Sequence, residues 1–235
     1  MQPELFAVDR PPEDLTARLI APDVVLLPGR ADVTEWLAFI VPLLRQAPWR
    51  HMQVPGGKSM SALMTNCGPW GWVTDTSGYR YSATDPRSGR PWPAMPTAMA
   101  TYASNWAAEA GFTGPAGAAF EPDSCLINGY ARGAKMGRHR DNNEADYDYP
   151  IVSVSLGASA RFTVGGTARD APVSGLMLGC GDVLVWGRSA RLMHHGVGVP
   201  RPAPGQAPLL SDDEAVYRIN LTFRRAADED ERPSH

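Results

Sequence analysis

Histidine is scarce in this 235-residue chain, with five in all: His51, His139, His194, His195 and His235. Cysteine is scarcer. Cys67, Cys125 and Cys180 are odd in number and contain no Cys-x-x-Cys pair, so neither a disulfide framework nor a cysteine-based zinc site is supported. A reduced, cytoplasmic setting fits such usage. No apolar run approaches the roughly 18 residues of a membrane span. The N-terminus also lacks the basic segment followed by an apolar stretch that marks a secretory leader. No membrane partner is therefore expected. Charge of one sign is missing too, since the formal net charge is -3, which argues against a bulk electrostatic grip on duplex nucleic acid. Asp228, Glu229, Asp230 and Glu231 against Arg232 account for that -3, leaving residues 1–227 near neutral.

What is present is a globular composition, 43% hydrophobic, with 23 glycines and 22 prolines that favour turns and short strands over long helices. The length suits one domain, or one domain with a lid. Residues 1–22 read as an irregular arm, and Val24 to Leu27 as a short strand. Val33, Trp36, Leu37, Ile40, Val41 and Leu44 recur at helical spacing, with Asp32 or Thr34 available as a cap and Pro42 as a kink. A second helix is predicted from Pro96 to Gly111, burying Met99, Tyr102, Ala103 and Trp106. Between the helices, residues 50–93 are Gly-, Pro-, Ser- and Thr-rich yet carry Trp70, Trp72, Tyr79, Tyr81 and Trp92. Such a loop-like aromatic segment suits either a binding surface or a small satellite core. Beyond residue 123 the pattern turns to strands: 151–156, 161–164, 182–186, 192–195 and 216–223. Short strands between Gly-rich turns predict a sandwich or barrel.

The chemistry concentrates in a few places. His139 and Asp141 stand two apart, so on a strand they share a face and can bind one ion. His194 and His195 would face opposite ways on a strand, and either one completes a set of two histidines and one carboxylate. That set leaves open positions on an octahedral metal and suits non-haem Fe(II), although zinc or manganese can take the same ligands. Arg132, Lys135, Arg138 and Arg140 make the approach to His139 basic. Along 216–224, Tyr217, Ile219, Leu221 and Phe223 alternate with Arg218, Asn220, Thr222 and Arg224. If the polar face points inward, the two guanidinium groups need anionic partners, and a carboxylate ligand gripped bidentately supplies one. The two arginines start about 20 Å apart on an ideal strand, so both reach one small dicarboxylate only if their side chains converge. Asn128 and Tyr130 form another same-face pair with neutral donors.

On these residues the chain resembles the AlkB-type Fe(II)/2-oxoglutarate-dependent nucleic-acid demethylases. The resemblance runs from about Arg50 to Arg224. It is carried by Met64-Thr65-Asn66-Cys67-Gly68, Pro91-Trp92-Pro93-Ala94-Met95-Pro96, Cys125 through Tyr130, Pro150 through Gly157, and Arg218 through Arg224. It implies an α+β fold with a double-stranded β-helix, or jelly-roll, core. The implied layout is an N-terminal arm and supporting helix (1–49), a nucleotide-recognition lid (50–93), the dioxygenase core (94–225) and a disordered acidic tail (226–235). His139, Asp141 and His195 become the iron ligands, His195 because the family histidine directly precedes glycine, here Gly196. Arg218 is implied to hold the distal carboxylate of 2-oxoglutarate with Tyr130 and Asn220. Arg224 and Asn128 attend the metal-chelating end, and Thr222 belongs to the same face.

On the substrate side the resemblance implies that Trp72 and the His139 ring sandwich a flipped-out base. Tyr79, Arg80 and Tyr81 lie against the substrate, and Arg169 is a basic contact. The family's second aspartate, which faces the exocyclic amine of the base, is Asn143 here, and an amide cannot neutralise a cationic base. Glu144 is adjacent, but alternation points it elsewhere. Val54 stands where a hydroxyl residue can serve a phosphate. The implied activity is demethylation of 1-methyladenine- and 3-methylcytosine-type lesions in single-stranded or duplex DNA, and by extension RNA. It consumes 2-oxoglutarate and O2 at Fe(II) and releases formaldehyde, succinate and CO2. The expected protein is a monomer. The rival readings are a dioxygenase acting on RNA modifications, a small molecule or a protein side chain, and a catalytically silent jelly-roll module.

Overall fold

The computed structural model describes residues 15–168, 170–211 and 214–227. Two helices pack on one face of a large antiparallel sheet, and a smaller sheet packs on the other. The chain opens with strands β1 (Arg18–Ala21) and β2 (Val24–Leu27), helix α1 (Val33–Gln46), and strands β3 (Arg50–Gln53) and β4 (Ser59–Cys67). The hairpin β5 (Gly71–Asp75) and β6 (Gly78–Ser82) follows, then helix α2 (Thr97–Glu109). Next come β7 (Ser124–Ala131), β8 (Met136–His139), β9 (Ile151–Gly157), β10 (Ala160–Val164) and β11 (Ser174–Leu178). The described chain ends with β12 (Val183–Trp186), β13 (His195–Val197), β14 (Leu210–Ser211) and β15 (Ala215–Arg224).

Among the described residues the large sheet runs β1-β2-β12-β9-β15-β7-β4-β3, with β14 beside β15, and the small one runs β11-β10-β13-β8. Hairpin β5–β6 is a sheet of its own. Strand β15 lies at the centre, paired with β7 and β9. Its alternation is used as written. Ile219, Leu221 and Phe223 join the cluster that contains Trp36, Ile40 and Leu43 of α1 and Met99, Ala103 and Trp106 of α2. The polar alternates face the space between the two sheets, which Ile151, Leu184 and Trp186 close from one side and Phe162, Val164 and Val197 from the other.

Helix α1 is capped by Asp32, which accepts from the Glu35 backbone N–H at 2.9 Å, and Pro42 sits within it. Trp36 is fully buried, stacked on Trp106 at 5.6 Å and edge-on to Phe223 at 5.9 Å. Trp36→Ala is expected to destabilise the fold by about 3–5 kcal/mol, read from chemical denaturation.

Four readings of the sequence need correction. The arm expected over 1–22 contains strand β1, edge-paired to β2, and residues 1–14 lie outside the described residues. The segment 50–93 is not loop-like throughout: β4 pairs with β7 inside the main sheet, because its apolar run Ala62-Leu63-Met64 packs on both faces. The strand expected at 192–195 begins only at His195, after a turn. Of the tail, Ala226 and Ala227 are buried, their N–H groups donating to Asp123, and residues 228–235 lie outside the described residues.

Candidate metal centre and cavity

Strands β8 and β13 pair so that His139 and His195 stand directly opposite each other. Their rings come within 4.4 Å, centroid to centroid. Asp141 follows just past the end of β8, so a strand end, and not strand alternation, brings it to the histidines. One donor atom from each of His139, Asp141 and His195 lies within 4.8 Å of the others. His139 Nε2 is 3.6 Å from Asp141 Oδ1, and His195 Nε2 is 3.8 Å from Oδ2. Each ring engages a backbone carbonyl through Nδ1, His139 to Gly137 at 2.8 Å and His195 to Met193 at 3.2 Å. Donation from Nδ1 fixes the tautomer and leaves both Nε2 lone pairs for a metal, the usual arrangement around ligating histidines. His195 packs between Phe162 and Trp186, and burial, then the neighbouring His139, lowers its pKa to about 4. It is therefore a neutral ligand at physiological pH. His194 instead approaches Gly166 O through Nδ1.

Burial alone would raise the pKa of Asp141. Arg224, then His195 and His139, outweigh it and hold the carboxyl well below the usual range. Arg224 donates to Asp141 Oδ2 from Nε at 3.2 Å and from Nη2 at 2.8 Å. The Arg224 Nε also lies 3.3 Å from Glu144 Oε1. Burial opposes the charge on Arg224, but Asp141, Tyr81 and Glu144 prevail and raise its pKa. Glu144 in turn accepts the Tyr81 hydroxyl at 2.6 Å and faces Arg191 at 3.2 Å. Arg191 also donates to Asp141 O and Tyr149 O. The β5–β6 hairpin is thus tied to the candidate metal ligand through Tyr81, Glu144 and Arg224.

The triad opens into a cavity of about 570 Å³, within the range of ligand sites. Asn128, Tyr130, Asn220, Thr222 and Arg224 line it, as do Trp72, Tyr79 and Asn143. Register explains the first group, since Asn220 lies opposite Asn128 and Arg218 opposite Tyr130. Buried polar atoms here lack partners: Asn128 Oδ1 and Arg224 Nη1 have none. Arg218 is not a wall of the cavity. Its Nη1 donates to Ala158 O and Leu178 O and its Nη2 to Ser155 Oγ, while its Nε has no partner. No carboxylate lies within ion-pair distance of Arg218 among the described residues, and burial lowers its pKa. Buried polar groups without partners mark places where a ligand completes the hydrogen bonding.

On the hairpin, Trp72 stacks on Tyr79 at 5.8 Å and donates from Nε1 to Asn143 Oδ1 at 3.1 Å. Two residues expected to touch substrate are engaged within the protein. Tyr81 is buried with its hydroxyl on Glu144, and Arg80 pairs with Asp75 at 2.7 Å. Neither lines the cavity. Arg169 lies outside the described residues. Glu144 and Arg191 were not among the expected site residues. The acid beside Asn143 was the available signal for Glu144, and nothing local marked Arg191. Tyr81→Phe is expected to cost about 1–2 kcal/mol, because a buried acceptor loses its donor. It should raise the KM for a nucleic-acid substrate while leaving that for 2-oxoglutarate unchanged, which steady-state kinetics with each substrate varied would test.

The profile of the 2OG-Fe(II) oxygenase superfamily matches residues 23–224. The chain belongs to that superfamily. Within it, this oxygenase is 46% identical over 185 residues to the alpha-ketoglutarate-dependent dioxygenase AlkB of Salmonella typhimurium, covering 79% of this chain and 81% of the relative. It is therefore of the AlkB type. It is 31% identical over 134 residues to the nucleic acid dioxygenase ALKBH1 of Mus musculus, covering 57% of this chain and 32% of that one. The solved structure of OsALKBH1 superposes with a TM-score of 0.72 at 26% identity, over 89% of this chain and all of that one. The oxygenase thus has the jelly-roll core, and Fe(II), 2-oxoglutarate and O2 are its cofactor and co-substrates. No helix of the described residues is long and apolar enough to cross a membrane.

Proposed function

We propose that the protein oxidatively removes alkyl groups from ring nitrogens of bases in alkylated DNA, of the 1-methyladenine and 3-methylcytosine type, with RNA as a second substrate. The observation that carries the reading is the metal triad opening into a cavity shared by a polar strand face and an aromatic hairpin. The chain's likeness to an alpha-ketoglutarate-dependent dioxygenase, AlkB, and to a nucleic acid dioxygenase, ALKBH1, supports it. His139, Asp141 and His195 hold Fe(II), which with 2-oxoglutarate and O2 oxidises the N-alkyl carbon, giving succinate, CO2 and, from a methyl group, formaldehyde.

The protein's part is placement. Arg224 and Asn128 receive the carboxylate end nearest the metal, the Arg224 Nη1 being a donor still unpartnered there. Arg218, Tyr130 and Asn220 receive the far carboxylate. Within residues 50–93 the β5–β6 hairpin acts as the recognition lid, its Trp72 and Tyr79 offering faces on which an extruded base stacks, an interaction worth about 1–3 kcal/mol and tolerant of sequence. Exposed Arg138 and Arg140 at the cavity mouth attract the phosphate backbone.

The test is formaldehyde and restored base from a single-stranded oligonucleotide carrying 3-methylcytosine, with the protein reconstituted with Fe(II) and then given 2-oxoglutarate and O2. Release that requires all three supports the reading. Succinate formed without any change in the base would reject this substrate while leaving the oxygenase intact.

A further inference from the structure

The four strands of the small sheet, β8, β10, β11 and β13, contain no Asp or Glu, and their only Arg or Lys residues are Arg138 and Arg161. Alternation sorts the two faces. Phe162, Val164, Leu176 and Val197 turn inward to the core, and His139 and His195 to the metal centre. Arg161 and Thr163 of β10 and Met177 of β11 turn outward, with Arg138 at the β8 edge. Both arginines are exposed. Among the described residues, neither makes an ion pair or a side-chain hydrogen bond.

Each guanidinium lies against a glycine. A Cβ on Gly165 would come within 2.8 Å of Arg138 Nη2, and one on Gly175 within 2.5 Å of Arg161 Nε. A larger residue at either place would push the guanidinium aside. Arg138 also lines the cavity, so this face is continuous with the proposed substrate site. Strand β13 alone separates β8 from β10. Two strand spacings are about 10 Å, roughly three nucleotides at ~3.4 Å each. Between the arginines, Thr163 and Gly196 pair in register and place no bulky side chain in the way. Unpaired guanidinium groups on a face without carboxylates suit phosphate oxygens, which arginine can grip bidentately. A strand whose extruded base fills the cavity has its flanking phosphates at that edge.

We propose that the outer face of the small sheet is a second nucleic-acid surface, on which Arg138 and Arg161 bind phosphates of nucleotides flanking the base held in the cavity. This rests on the demethylase reading above and carries the contact beyond the lid and the cavity mouth.

The test compares a trinucleotide centred on 3-methylcytosine with a single strand of about 15 nucleotides carrying the same lesion, a length that can cross the face. The proteins are wild type, Arg161→Gln, Met177→Glu and Met177→Lys. Met177 is exposed and directly opposite Arg161, and neither residue lines the cavity. Kd is read by fluorescence anisotropy over a range of salt, on protein loaded with Fe(II) and 2-oxoglutarate and kept free of O2. Formaldehyde release gives kcat/KM separately. The wild type should bind the longer strand more tightly. Arg161→Gln should weaken that binding about threefold and make its log Kd against log salt slope shallower by about 0.7, the share of one phosphate contact on a single strand. Met177→Glu should weaken it too, and Met177→Lys should tighten it. Binding and turnover of the trinucleotide should be unchanged in all three. A longer strand whose Kd and salt slope ignore these exchanges, or a trinucleotide weakened equally, would overturn the surface and leave the demethylase reading standing. Binding that depends on length and on Arg161, with no formaldehyde from either substrate, would keep the surface and reject that reading.

Discussion

Asp141→Ala is expected to abolish formaldehyde release and, independently, to lower the melting temperature of the metal-free protein. The two losses have separate causes. The first follows from removing the only carboxylate of the triad, which leaves two imidazoles to hold Fe(II). The second follows from Arg224, whose Nη2 lies 2.8 Å from Asp141 Oδ2 and which stays buried when that partner goes. Breaking a buried ion pair from one side typically costs 3–5 kcal/mol. Glu144 still faces Arg224 at 3.3 Å, so the low end, about 3 kcal/mol, is expected. For a chain of this size that is roughly 6–12 °C. Asp141→Asn keeps an acceptor for Arg224 and should recover part of the stability but none of the turnover. Thermal melts of metal-free protein and equilibrium dialysis with Fe(II) separate the effects. Unchanged iron binding in Asp141→Ala would remove Asp141 from the ligand set.

The second large effect falls on co-substrate binding more than on stability. Arg218 is buried at 1% exposure, and all its hydrogen-bond acceptors are neutral. A buried cation without an ion-pair partner is costly, which offsets part of what is lost when the Ala158, Leu178 and Ser155 acceptors lose their donors. Arg218→Met should therefore lower the melting temperature only modestly. It should also raise the KM for 2-oxoglutarate on the order of 100-fold, the scale of losing a bidentate charge-assisted pair. A thermal upshift by 2-oxoglutarate, present in the wild type, should vanish. If Arg218→Met destabilises strongly and retains the wild-type KM, the guanidinium is a structural tie among the Ala158, Leu178 and Ser155 groups and holds no co-substrate.

Much of this site was legible from the sequence because the informative residues are either scarce or periodic. With five histidines in the chain, His139 and the 194–195 pair stood out. The alternation in 216–224 sorted the apolar face from the polar one, and the packing of Ile219, Leu221 and Phe223 against the helices follows it. What was not legible depends on contacts between residues distant in the chain. Tyr81 meets Glu144 across 63 positions, and Glu144 meets Arg191 from beyond four intervening strands, in a stretch with no periodic pattern. Glu144 points away from the cavity wall, as alternation suggested, but its place among Tyr81, Arg224 and Arg191 was not readable, because β8 ends at His139, five residues before it. Strand β4 was hidden because glycine and proline in its flanks dominate the composition of 50–93, although its own nine residues contain neither.

The sheet topology assigns different local stabilities to the two ligand sites. The residues proposed to face 2-oxoglutarate come mainly from β15 and β7, each hydrogen-bonded on both sides within the large sheet. The aromatics proposed to face the base come from a hairpin that shares no ladder with that sheet. Amides of β15 should therefore exchange with solvent only on global unfolding, while those of β5 and β6 exchange through local opening. On the proposed reading, the co-substrate meets a surface already in its final form, and remodelling to fit different bases is confined to the hairpin.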